Sequence, residues 1–219
     1  MRRRHFVAAA CAAALSAPLA RAQKSEPYRL VILGDSLTAG LGVSKAESFP
    51  AQLEALLRAK GYDVRVIAAG VSGDTIADGL ARLDWSVPDR TDGVLIALGG
   101  NDMLKGVDPA LSRRALEDML RRLRERGKDT ALAGMRATAN LGARYATTFE
   151  RMYRDLSGAY DAPLYPFLLE GVALNPKLNQ TDGFHPNAAG AKRIAEKLAP
   201  FVESAFALPR SPAPARPRT

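Results

Sequence analysis

The chain has 219 residues, 47% hydrophobic and 25% charged, with a formal net charge of +8, one cysteine and two histidines. That balance suits one globular domain with a real core and excludes a disulfide framework or a cysteine-rich metal site.

Residues 1–22 read as a secretory signal. Arg2, Arg3 and Arg4 give a basic start, an apolar run follows from Phe6 to Ala20, and Ala20-Arg21-Ala22 matches an A-x-A cleavage pattern before Gln23. The apolar run is too short and too rich in alanine for a membrane anchor. Arg3 to Val7 resembles a twin-arginine signal, and an ordinary secretory route fits as well. Cys11 has too little apolar sequence before it for a lipoprotein site. Removing the signal takes four of the 31 basic residues and none of the 23 acidic ones, so the net charge falls from +8 to +4. Cys11 and His5 leave with it. The mature protein then has no thiol nucleophile, and His185 is its only histidine. Zinc chemistry that needs several His or Cys ligands is excluded, and no metal or cofactor is expected.

The body alternates between two periodicities. Strands are expected at Tyr28 to Leu33, Val64 to Ala68, Val94 to Leu98, Ala131 to Met135 and Leu164 to Phe167. Helices are expected at Phe49 to Lys60, Thr75 to Leu83, Pro109 to Arg126, Ala143 to Tyr160 and Asn187 to Phe206. This order implies βαβ crossovers and a mainly parallel sheet of about five strands, in one three-layer α/β/α domain over residues 23–207. Strands apolar throughout, rather than alternately, fit a sheet covered on both faces. The Pro/Arg-rich end, 208–219, reads as a disordered tail.

Open parallel sheets bind ligands beyond the carboxyl ends of their strands. The first strand leads into Gly34-Asp35-Ser36, the second into Gly70-Val71-Ser72-Gly73-Asp74, and the third into Gly99-Gly100-Asn101-Asp102. Three glycine-rich loops on one edge suggest a lined pocket. A nucleophilic serine needs a base, and the base needs an orienting partner. Asp182, three residues before His185 in an Asp-Gly-Phe-His turn, can fold its carboxylate back towards the imidazole, or it can cap a turn beside a surface histidine.

"GDSLTAG", "GVSGDT", "GGND" and "DGFHP" together, in this order across residues 29–206, resemble the SGNH hydrolases, also called the GDSL family. The likeness is to the bacterial periplasmic thioesterase, arylesterase and lysophospholipase subgroup. It implies a flavodoxin-like fold, with Ser36 as nucleophile and Asp182 and His185 as the remaining catalytic pair. It also implies that the oxyanion is met by the backbone N–H groups of Ser36 and Gly73 and the side-chain amide of Asn101. The implied activity is hydrolysis of small-molecule or lipid acyl esters, and of thioesters as well, through an acyl-enzyme. A carbohydrate O-deacetylase and a non-catalytic acyl or glycan binding module are the alternatives.

The serine is not in a G-x-S-x-G elbow, because Thr38 stands where that pattern needs glycine. The sequence has Ala68-Ala69-Gly70 where related sequences commonly read Asn-Ala-Gly. Met135, Arg136 and "ATANLGARY" resemble a pocket-bordering segment of the subgroup that is usually richer in proline. Leu104, Val107 and Leu141 are candidate substrate-binding residues. Asp35 reads as a turn cap, Asp74 as a helix cap, Asp102 as a loop brace and Trp85 as a packing residue. The mixed charges of "SRRALEDMLRRLRERGK" read as a solvated helix face rather than a nucleic-acid site. The surplus positive charge favours at most weak association with anionic membrane surfaces.

Overall fold

The computed structural model describes residues 26–211. The stretch read as a secretory signal, 1–22, and the end of the stretch read as a tail, 212–219, lie outside the described residues. In chain order the elements are β1 (Tyr28–Gly34), α1 (Ser36–Ala39), α2 (Phe49–Ala59), β2 (Val64–Gly70), α3 (Ile76–Ala81), α4 (Leu83–Ser86), β3 (Gly93–Ala97), α5 (Gly100–Leu104), α6 (Pro109–Glu125), β4 (Asp129–Ala133), α7 (Ala143–Tyr160), β5 (Leu164–Tyr165) and α8 (Ala188–Ala205). Short 3₁₀ turns lie at Lys45–Glu47 and Ala139–Leu141.

The five strands form one parallel sheet in the order β2-β1-β3-β4-β5. This is the flavodoxin-like order, whose chain reversal opens a crevice between the carboxyl ends of β1 and β3. In register, Gly34 at the end of β1 stands level with Gly70 of β2 and Ala97 of β3. α2 packs with α8, and α6 lies between α3 and α7. Together these groups cover both faces of the sheet. Leu30, Val31, Ile32 and Leu33 are therefore buried in succession, as are all residues of β3.

The helices form for local reasons that the sequence shows. α2 has Pro50 in its first turn and buries Phe49, Leu53 and Leu57 on one stripe. α6 starts on Asp108, whose side chain accepts from Ala110 N–H, and buries Leu116, Met119, Leu120 and Leu123. Its outer face carries Arg121 paired with Asp118 and Glu125.

Several expectations differ in detail. The helix expected over Thr75 to Leu83 breaks at Arg82, between α3 and α4. Arg82 is largely buried and reaches the strand ends, donating to Gly34 O at 2.8 Å and Ala69 O at 3.1 Å. Asp74 is not the helix cap. Thr75 caps α3 in a reciprocal box with Asp78, and Asp74 instead accepts from Arg82 Nε at 2.6 Å. β4 begins and ends earlier than expected, at Asp129 and Ala133, because its polar start hides it from a hydrophobicity reading. Trp85 is 79% exposed, so it is not a packing residue. The chain does not leave the body at residue 207. Asp63 N–H donates to Pro209 O at 2.8 Å and Ser211 N–H to Gly61 O at 2.8 Å, while Arg210 lies over the Tyr62 ring.

Candidate active site

Ser36 begins α1 immediately beyond β1. Asp35 caps that short helix, with Oδ1 accepting from Leu37 N–H at 3.0 Å. The helix crosses directly over the ends of β1 and β2, and glycine is what allows it. A Cβ on Gly34 would fall 2.0 Å from Thr38 Oγ1, and one on Gly70 would fall 2.3 Å from Ala39 N. Ser36 is only 8% exposed, and as the first residue of the helix its N–H has no partner within it. Asp35 is 2% exposed, and burial raises its pKa from the ordinary 3.8 to about 6 against the lowering effect of the Leu37 hydrogen bond and of His185.

Asn101 lies in α5, beyond β3, on the other side of the crevice. Its amide nitrogen donates to Asp74 O at 2.9 Å and has a longer contact of 3.4 Å with Asp35 Oδ2. Asp102 braces the same loop, accepting from Ile76 N–H at 2.9 Å and Ser112 Oγ at 2.6 Å. Its burial raises its pKa. Gly73 sits beyond β2 with φ at +90°, a conformation that favours glycine, and a Cβ there would meet nothing within 4 Å. Its carbonyl accepts from Lys105 Nζ at 2.8 Å. Gly73 is not among the residues that line the cavity described below.

His185 comes from the loop before α8. Asp182 Oδ1 accepts from the N–H groups of Phe184 at 2.9 Å and His185 at 3.0 Å, which folds the loop into an Asx turn. Asp182 Oδ2 lies 2.7 Å from His185 Nδ1, and His185 Nε2 lies 2.9 Å from Ser36 Oγ. A proton on Nδ1 lets the ring donate to the carboxylate while Nε2 accepts from the serine. The backbone hydrogen bond from His185, then its ring and the Phe184 N–H, lower the Asp182 pKa to about 2. Gln180, not anticipated from the sequence, ties this loop to the serine side. Its amide donates to Leu41 O at 2.7 Å and Pro186 O at 3.0 Å. At the loop's end Asn187 caps α8, its side chain accepting from Gly190 N–H at 3.1 Å.

A cavity of about 430 Å³ opens beside the Ser36–His185 pair. Its wall is mostly apolar and includes Leu37, Met103, Leu104, Met135, Phe167 and Leu169. Leu104, a substrate-binding candidate, lines it. Val107 and Leu141 do not. The chain turns away at Gly106, leaving the Val107 carbonyl bound by Tyr145 OH at 2.9 Å, and in the Ala139–Leu141 turn it is the preceding Ala137 and Thr138 that reach the wall. The segment from Phe167 to Leu174 was missed. Its signal was an apolar stretch, "FLLEGVAL", directly beyond the last strand on the ligand-binding edge. Leu174 stands at the rim, 86% exposed with φ at +60°.

The GDSL-like lipase/acylhydrolase family model matches residues 32–193. The chain is 37% identical to the esterase TesA of Pseudomonas aeruginosa over 182 residues, covering 83% of this chain and 90% of that protein. It is 38% identical to thioesterase 1/protease 1/lysophospholipase L1 of Escherichia coli K12 over 171 residues, covering 78% and 81%. The solved structure of AlinE4, an SGNH-hydrolase family esterase, superposes with a TM-score of 0.70 at 43% identity, covering 87% of this chain and 100% of that one.

Proposed function

The chain belongs to the GDSL-like lipase/acylhydrolase family, and from that premise we propose that it is an exported serine hydrolase cleaving acyl esters, and thioesters as well, through an acyl-enzyme. The observation that carries the reading is the continuous contact from Asp182 Oδ2 through His185 to Ser36 Oγ, at 2.7 and 2.9 Å, beside an apolar cavity. Ser36 Oγ attacks the carbonyl carbon while His185 Nε2 takes its proton. Asp182 holds the imidazole in the required tautomer and stabilises its cation. The imidazolium then gives the proton to the departing alcohol or thiol. Water, deprotonated by the same nitrogen, releases the acid and restores the serine.

Negative charge on the carbonyl oxygen needs donors in place before it forms. Ser36 N–H, Gly73 N–H and the Asn101 amide are assigned that task. For Asn101 the oxyanion replaces the long contact to Asp35 Oδ2, while the bond to Asp74 O keeps the amide in position. Export rests on the leader-like pattern of residues 1–22. The apolar wall suits an acyl chain better than a sugar, which favours acyl ester cleavage over deacetylation of carbohydrate.

The protein beginning at Gln23 is expected to hydrolyse nitrophenyl esters of medium-length acyl chains, and Ser36→Ala to abolish this while keeping the far-ultraviolet circular dichroism spectrum. Turnover that survives Ser36→Ala, or faster cleavage of acetylated sugars than of the aryl esters, contradicts the reading.

A further inference from the structure

We propose that Arg136 forms an anion subsite at the open side of the acyl cavity, recognising a phosphate carried by the leaving group; the inference rests on the esterase reading of the site. Arg136 lies three residues beyond the end of β4, on backbone anchored by Gly134, whose N–H donates to Tyr165 O at 2.8 Å and whose carbonyl accepts from Leu168 N–H at 2.9 Å. It lines the cavity, and among the described residues no lysine or other arginine does. Its guanidinium carbon lies 5.0 Å from the centroid of the Phe167 ring, which lines the same cavity. The charge is thus held against the wall by a cation–π contact.

Among the described residues, none of the ion pairs or hydrogen bonds of the site engages this guanidinium. Asp35, the carboxylate among the residues lining the cavity, is committed to the α1 cap. The side chain is exposed, so it meets the part of the substrate nearer solvent, while the apolar wall takes the acyl chain. A planar fork of donors with its charge unmatched suits phosphate, which it can bind through two parallel hydrogen bonds. Two leaving groups carry phosphate: that of a monoacyl glycerophosphate, on the same glycerol as the ester, and coenzyme A, at the far end of the pantetheine arm from the thioester.

The test uses two matched pairs below their micelle concentrations. Monooctanoylglycerol is compared with its 3-phosphate, and the octanoyl thioester of N-acetylcysteamine with octanoyl-coenzyme A. The readout is the ratio of kcat/KM between the phosphorylated and neutral members. Arg136→Gln should lower that ratio roughly tenfold or more, the scale of a lost charged hydrogen bond. Arg136→Lys should retain part of it, and added salt should erode it in the wild type. A fall in both pairs assigns the shared phosphate, and a fall in one assigns that carrier. An unchanged ratio in both pairs overturns the subsite alone. A wild type that cleaves none of the four overturns the esterase reading and the subsite with it.

Discussion

The two aspartates that flank the site are held in opposite ways. Asp35, next to Ser36, is 2% exposed, and desolvation drives its pKa up to about 6. Asp182 lies in an open turn with a side chain 44% exposed, and hydrogen bonds from His185 and Phe184 drive its pKa down to about 2. The serine half of the site is therefore built by the global fold, through strand ends, glycine contacts and the buried Arg82. The histidine half is built by its own turn and joined to the serine half through Gln180. Damage to the first half should show in stability, and damage to the second should show in turnover with little cost to folding.

Asp182→Asn breaks that comparison most sharply. An asparagine oxygen still accepts from Phe184 and His185 N–H, so the turn is kept, but its amide opposes the Nδ1 proton. Activity should fall by up to about 10⁴-fold in kcat, the size seen when the histidine tautomer is lost, with only a small drop in the thermal midpoint near neutral pH, where the half-exposed carboxylate's own contribution is lost. A large loss of stability would mean the turn is not self-contained.

Asn101→Ala should lower kcat by roughly 10²–10³, the cost of one oxyanion donor. It also removes the bond to Asp74 O, so a modest loss of stability should accompany it. A change confined to KM would make Asn101 a binding group alone.

The pH dependence of stability separates the halves in sign. Asp35 has a raised folded pKa, so its ionisation opposes folding. Its cost is absent below about pH 4, grows as pH rises towards about 6, and then levels, reaching about 3 kcal/mol on the 3.8-to-6 difference. Asp102 is shifted the same way and adds to the slope. Asp182 has a lowered folded pKa, so its contribution is present above about pH 4 and lost as pH falls through about 2. Asp35→Asn should raise stability above pH 6 and flatten the wild-type decline between pH 4 and 6. A wild-type profile flat across that interval would remove the contrast.

The strands were legible because β1 and β3 are apolar at consecutive positions, as a doubly covered sheet requires. Ser36, Asp182 and His185 stood out because a glycine-bracketed serine follows a strand and only one histidine lies among residues 23–219. α1 and α5 are too short, at four and five residues, for a period to show. Arg82 and Gln180 were hidden because their work is done by side chains reaching backbone carbonyls far along the chain, which no local pattern encodes. Val107 and Leu141 are apolar and near the motifs in sequence, but the turns at Gly106 and Ala139–Leu141 take them off the wall.

The most direct test of the central claim is the site of covalent capture. After reaction with a fluorophosphonate, intact mass and peptide mapping should place one adduct on Ser36, with capture slowed strongly in His185→Ala and absent in Ser36→Ala. An adduct on another residue, or none on a folded and hydrolytically active protein, would contradict the account.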